Sequence, residues 1–364
     1  MTVSNTPIRE FIASRKLKVP WTYADGEFDV LYKDYILGSA GPSRTRSGTI
    51  TRSILSDLPE FSPANTRIGI EIECEGLAGI ADYWKNPLWQ VKGDGSLRNG
   101  GIEFISPALK PEQVRRALAA VMGSIYSYKK TPDFSWRTSI HVHLECIHLL
   151  VREFKALMLL DVVFEEALFQ FANPGRRDTN IFCTPITRSH FYSLGDFINA
   201  DSPDALVQTF AYLNKDIEKY SALNINHMYD FGTVEFRHLR GTGDHRLLHT
   251  WISILLKMFS AAQKVTTEEL YEDIQSLNTT SAYGAFTEKI FGEGIARALF
   301  NPNNATFLSR GVSLAKEVIS GNALLKDVQV SPNGGLANYF DLWKNQRKKD
   351  ALKTREARIR KGVV

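Results

Sequence analysis

The stretch RIGIEIECEG, residues 67–76, carries Glu71, Glu73 and Glu75 at every second position, with Ile70, Ile72 and Cys74 between them. Side chains alternate between the two faces of a strand, so the three carboxylates share one face and the apolar residues the other. Same-face neighbours lie roughly 7 Å apart along a strand, where like charges repel. An acidic ladder backed by apolar residues therefore stands either in bulk water or against something cationic.

Three further stretches have the same design. GGIEFISP sets Glu103 between Ile102 and Phe104. TSIHVHLEC sets His141, His143 and Glu145 on one face, with Ile140, Val142 and Leu144 on the other. GTVEFRHLRGT sets Glu235 and Arg237 against Val234, Phe236 and His238. A half-buried sheet facing water alternates apolar and polar residues too, but would usually recruit Lys, Thr, Gln and Ser. Here the polar positions are mainly Glu and His, with Arg137 and Arg237, and no lysine lies within the four strand cores. If the strands are neighbours, Glu71, Glu73, Glu103 and Glu235 converge at a density that calls for divalent cations. Oxygen ligands with an occasional imidazole suit Mg²⁺ or Mn²⁺ better than zinc.

Strand-like runs at 67–75, 101–106, 138–146, about 220–226 and 233–239 would carry these residues. Helical spacing of apolar residues predicts helices over 111–128, 151–172, 203–218 and 245–263. Strands spaced irregularly among helices, without regular βαβ alternation, imply an α+β fold with a largely antiparallel sheet. Residues 1–66 form an N-terminal extension, and its polar segment SAGPSRTRSGTITRS reads as a mobile loop. A core over 67–263 follows, then a helical part over 264–336 with a Pro/Gly break at SPNGG, and a basic terminal helix over 337–364.

At 364 residues the chain can bury a sizeable core, and its net charge of +4 is too small to imply nucleic-acid binding. Cys74, Cys146 and Cys183 are far apart and odd in number, with no CxxC pair, so neither a disulfide framework nor a cysteine zinc site is suggested. There is no 18-residue apolar run and no signal-peptide h-region, so a soluble cytoplasmic protein without membrane partners is expected.

Two further stretches suit phosphate. WQVKGDGSLRNGG follows Lys92 with the tight-turn residues Gly93, Asp94, Gly95 and Ser96, which equally suit a plain hairpin. FANPGRRDTNIFC stops a helix at Pro174-Gly175 and then presents Arg176 and Arg177, whose guanidinium forks suit phosphate or carboxylate. KYSALNINH adds Lys219, Asn224 and Asn226.

Taken in order, GIEIE, DGSL, EFISP, HVHLE, the Arg–Asn–Cys run at 176–183, KYSALN and TVEFRHLRGT resemble the amidoligase family over roughly residues 67–260. These carboxylate–amine ligases are related to glutamate–cysteine ligase and glutamine synthetase. The resemblance implies a curved antiparallel sheet cupping ATP and two or more Mg²⁺ (or Mn²⁺), with helices on its outer face. It implies Glu71, Glu73, Glu103 and Glu235 as metal ligands, with His141 or His143 completing the metal and phosphate shell. Arg237 would face the transferred phosphoryl group. Lys219 and Asn224 would lie on the nucleotide side, to which Ser96, Arg176 and Arg177 are also assigned. The implied reaction activates a carboxylate as an acyl phosphate, which an amine attacks to form an amide. Asp94 would lie near that amine, and Asp94 or Glu145 would accept its proton. The identities of the carboxylate and the amine stay open.

Two other enzymatic readings stand beside this one: a guanidino-kinase-like phosphoryl transfer, and a single-metal cupin-type enzyme suggested by His141-x-His143. From Lys344 to Lys361 nine basic residues face only Asp350 and Glu356. This tail suits a solvated helix or a guide for an acidic partner, such as a peptide or protein carboxylate.

Overall fold

In the computed structural model the apolar faces of the acidic strands meet in one sheet. The structure describes residues 5–12, 18, 21–37, 46–174, 183–189, 191–216, 220–228, 230–301 and 305–320. Among these, six strands form one sheet: β1 (Ile68–Cys74), β2 (Gln90–Gly93), β3 (Ile102–Ile105), β4 (Ser139–Glu145), β5 (Leu223–Asn224) and β6 (Thr233–Arg240). Their order is β2-β3-β1-β4-β6-β5, and every neighbouring pair is antiparallel. The strand that opens the acidic pattern is thus central, between β3 and β4.

The first half of the chain adds helices α1 (Arg9–Ile12), α2 (Glu27–Leu37), α3 (Arg46–Asp57), α4 (Pro111–Ser127) and α5 (Val151–Ala172). The second half adds α6 (Ile186–Ser189), α7 (Phe191–Asn199), α8 (Pro203–Asp216), α9 (His245–Lys264) and α10 (Thr267–Ser276), followed by α11 (Thr280–Phe291), α12 (Glu293–Leu299) and α13 (Ala305–Ile319). Ile70, Ile72, Phe104, Val142 and Phe236, from the apolar face of the sheet, join one core with Leu118 of α4, Leu157 and Phe164 of α5, and Ile252 and Leu255 of α9. Helix α5 is apolar almost all round and buried along nearly its whole length, as expected of a central helix. The Asp244 carboxylate caps α9, accepting from the backbone N–H groups of Arg246 (2.9 Å) and Leu247 (3.2 Å) and so ending the turn out of β6.

The architecture is the expected α+β fold, and four predicted strands and four predicted helices stand where the spacing put them. Two local readings need correction. The segment read as a loop over 39–53 becomes helix from Arg46, because Thr51 and Ile54 bury a face against α4. The strand expected over 220–226 shrinks to Leu223–Asn224, because the chain turns into a 3₁₀ segment at Asn226–Met228. The N-terminal residues are part of the body: Ile8, Phe28, Ile54 and Phe61 lie in the common core. Arg176, Arg177, Lys219, the SPNGG break and the basic tail lie outside the described residues. Among the described residues no helix is long and apolar enough to cross a membrane.

Helix α13 docks on α5 through Gly311, where a Cβ would stand 2.0 Å from the carbonyl oxygen of Val163 and 2.9 Å from that of Val162. Those are backbone atoms and cannot swing aside. Gly311→Ala should therefore destabilise the protein by about 1–3 kcal/mol, although alanine in a helix interior otherwise gains up to about 1 kcal/mol over glycine. Urea unfolding would show this as a lower midpoint at unchanged slope, and a raised midpoint would refute the close approach.

Candidate active site

The register of β1 with both neighbours stacks the polar face in three levels. At one level Lys92, Glu103 and Glu73 stand side by side across β2, β3 and β1. At the next, Gln90, Ile105, Glu71 and His141 do so, and at the third Gly69, His143, Glu235 and Asn224. The β4–β6 register shifts between Ile140 and Val142, so both Arg237 and His238 stand across from His141. A bulge of this kind re-aims side chains. Arg237 turns to the polar face, where its guanidinium donates to Glu235 and lies 3.4 Å from His141 Nδ1. His238 turns into the core between Phe169 and Trp251, and burial pushes its pKa down to about 3.

A hydrogen-bond chain fixes His141. Glu73 Oε2 accepts from both the backbone N–H and the hydroxyl of Ser139, each at 2.8 Å. That hydroxyl has one hydrogen and gives it to Glu73, so it accepts from His141 Nε2 at 2.8 Å. His141 Nδ1 lies 3.0 Å from Glu71 Oε2 and 3.2 Å from Glu235 Oε1 and donates toward them. Both ring nitrogens are then donors, which is the imidazolium. Burial and Arg237 oppose that charge, but Glu73, Glu71 and Glu235 outweigh them and raise its pKa above the ordinary value.

The carboxylates divide in the same way. Burial raises the pKa of Glu71 and of Glu235. The imidazoles of His141 and His143 outweigh this at Glu71, and Arg237 with His227 outweighs it at Glu235, holding both far below the ordinary range. Glu103 goes the other way. Burial, joined by the charge of Glu71, lifts it to about 7 despite an ion pair with Lys92 at 2.9 Å.

Two groups of side chains each bring three donor atoms within 4.8 Å of one another: Glu71, Glu103 and His141; and His143, His227 and Glu235. Their chemistry fits divalent cations: the first set offers two carboxylates and an imidazole, the second one carboxylate and two imidazoles. Buried His143 Nε2 and His227 Nδ1 have no hydrogen-bond partner among the described residues. The structure thus brings together Glu71, Glu103, His141, Glu235, His143 and Arg237. Glu73 lies beside the first set and supports it through Ser139. Asn224, expected on the nucleotide side, is buried beneath Glu235, donating to its Oε2 at 2.8 Å and accepting from the Asn226 N–H at 2.9 Å.

Asp94 and Ser96 are set apart from this group, while Glu145 lies two residues beyond His143 on β4 and lines the same cleft. Asp94 Oδ1 accepts from the Ser96 N–H at 2.7 Å, and the Ser96 carbonyl accepts from Arg137, so both hold the β2–β3 turn. Asp94 is level with the Glu75 end of β1 and Glu145 with Arg67. Eight residues of strand, roughly 26 Å, lie between those levels, so the two carboxylates cannot serve one amine. The sequence reading passed over His227, which sits three residues past Asn224 on the 3₁₀ turn with Nε2 3.3 Å from Glu235. The signal was present in KYSALNINH, but a strand drawn through that stretch hid it.

Residues 87–259 match the model of a protein family described as "Putative amidoligase enzyme". The resemblance read from the sequence is thereby borne out over that segment, which holds Glu103, His141, His143, His227, Glu235 and Arg237. It stops short of β1, the source of Glu71 and Glu73. No curated protein matches the chain.

The raised pKa of Glu103 yields a test. Its ordinary value is 4.5 and its folded value about 7, so its stabilising contribution is complete below pH 4.5 and lost as pH rises to about 7. In EDTA, wild type should lose about 2–3 kcal/mol more stability between pH 5 and 8 than Glu103→Gln does. Denaturant melts of both proteins across that range would check this, and parallel pH profiles would contradict it.

Proposed function

We propose that the protein is an ATP-dependent carboxylate–amine ligase that forms an amide through an acyl phosphate. One observation carries this reading: two adjoining sets of possible divalent-cation donors each have a member in contact with Arg237, on one face of a sheet whose strands fall largely within the amidoligase match. A carboxylate is a poor acyl donor, and its phosphorylation asks a protein mainly for positioning and charge stabilisation. Mg²⁺ or Mn²⁺ held by Glu71, Glu103 and His141, and by His143, His227 and Glu235, would supply charge neutralisation at the phosphate oxygens.

The chain's own groups do the rest. Arg237, pinned by Glu235, presents a planar fork to the phosphoryl group in flight. Glu73 and Ser139 orient His141, and Asn224 orients Glu235. Glu145 takes the proton of the attacking amine, since Asp94 is occupied by its turn. The C–N bond then forms as the C–O bond to phosphate breaks and inorganic phosphate leaves.

The second donor set favours one competing reading. Two imidazoles and a carboxylate suit a single transition metal, and an enzyme built on that set alone would ignore ATP.

Two measurements separate these readings. Wild type should release ADP only when Mg²⁺ or Mn²⁺, a carboxylate and an amine are all present, with the amide found by mass spectrometry. Turnover of a substrate without ATP, driven by iron or zinc, would support the single-metal enzyme instead. Arg237→Lys keeps the charge but lacks the fork, and should lower kcat by about 100-fold or more, as removal of one preorganised donor does. An effect confined to KM for ATP would make Arg237 a ground-state binding residue.

A further inference from the structure

A cleft of about 180 Å³ opens at the Arg67 end of the polar face, lined by Glu71 and His143 on the side of the donor sets. Its floor is Gly69, which faces His143 across the β1–β4 pair. Arg67 and Glu71 flank Gly69 at alternate positions on the same face, so the cleft fills the place a side chain would have taken. A Cβ there would also press on His143 Cβ at 3.3 Å.

The walls are aromatic and anchored. Trp21, 37 % exposed, accepts from the Ala108 N–H at 2.8 Å through its carbonyl and meets Tyr23 edge-on. On the other side, the Phe231 N–H donates to the His227 carbonyl at 2.8 Å. Lys18 ties the N-terminal segment to the same loop, donating from its backbone to the Asp230 carbonyl at 2.7 Å and placing its ammonium over the Phe231 ring. The N-terminal segment is thus fastened at both sides of the cleft, and Trp21 is held in place as a wall.

Glu71 and His143 are paired within the donor sets, but the other two charged groups of the cleft, Arg67 and Glu145, have no ion-pair partner among the described residues. Among the described residues the Glu145 side chain has neither a hydrogen bond nor an ion pair. Among the described residues the Arg67 side chain makes one hydrogen bond, a long 3.4 Å contact from NH1 to the Ala108 carbonyl, and no ion pair. A carboxylate and a guanidinium that do not pair with each other, set around an apolar box, complement a zwitterion with an apolar side chain. Pockets for drug-sized ligands hold about 300–1,000 Å³, so this one suits a single amino acid and not a nucleotide.

We propose that the cleft is the amine-acceptor subsite and takes a free α-amino acid with an apolar side chain. This rests on the ligase reading above. The side chain lies between Trp21 and Phe231, the carboxylate meets Arg67, and the ammonium meets Glu145. Loss of a proton to Glu145 frees the nitrogen lone pair to attack the acyl carbon next to the Glu71–His143 side of the cleft.

Calorimetry with Mg²⁺ and a non-hydrolysable ATP analogue tests the subsite apart from the chemistry. L-Phenylalanine and L-leucine should bind at least tenfold tighter than L-glutamate or L-lysine. Phenethylamine, lacking the carboxylate, and 3-phenylpropionate, lacking the amine, should each be at least tenfold weaker than phenylalanine. Trp21→Ala, at a partly exposed position, and Arg67→Gln should each weaken phenylalanine at least tenfold while retaining the wild-type melting profile. Equal binding of all ligands, or of phenethylamine and phenylalanine, would overturn the proposal. ADP release then separates the two ideas. Release with other amines but not with apolar amino acids overturns the subsite and leaves the ligase standing. Selective phenylalanine binding with no ADP release for any carboxylate overturns the acceptor role together with the ligase.

Discussion

Everything on the polar face depends on the register of one central strand. Glu71 stands beside His141 and Ile105, and Glu73 beside Glu103, because β1 pairs with β3 and β4 in a single alignment. A one-residue slip would turn both glutamates into the core and bring Ile70 and Ile72 to the surface. The apolar face prevents that slip: Ile68, Ile70, Ile72 and Cys74 are all buried in one packed layer with α4, α5 and α9. Burial on one side of the sheet thus fixes the chemistry on the other.

Such an arrangement gathers like charges, and the structure answers with graded compensation. Arg237 and the imidazoles hold Glu235 and Glu71 ionised, whereas Glu103, with Lys92 as its one ion-pair partner among the described residues, is left with its pKa near neutrality. The protonated His141 sits among Glu71, Glu73 and Glu235, where positive charge is most favoured. The same position suits a divalent cation, whose arrival displaces protons from its ligands. The face therefore gathers carboxylates and imidazoles around Arg237, the guanidinium that donates to Glu235.

The two ends of the sheet differ. At the β2–β3 turn, Asp94, Ser96, Arg98 and Arg137 are tied to one another or to Glu75 by hydrogen bonds, giving a firm polar rim. At the other end the chain leaves Gly69 without a side chain and brings in Trp21 from far upstream and Phe231 from the loop before β6. One end is filled and polar, the other hollow and aromatic.

Alternation along strands was legible from the start, because period-two spacing depends only on local backbone geometry. That spacing, in IGIEIEC, HVHLE and TVEFRHL, separated the apolar core face from the face bearing Glu71, His141, His143 and Glu235, and it suggested divalent cations. Helices α4, α5 and α9 were equally plain from their apolar periodicity. Other features depend on pairing between distant segments. The strand order, the bulge across from His141, the placing of His227 next to His143, and the separation of Asp94 from Glu145 are set by which edges meet and at what register. Short elements such as β5 and α3 were misjudged because local propensity there is weak and tertiary packing decides. The sequence alone determined which residues face one another's side of a strand; only the folded sheet decided which of them touch.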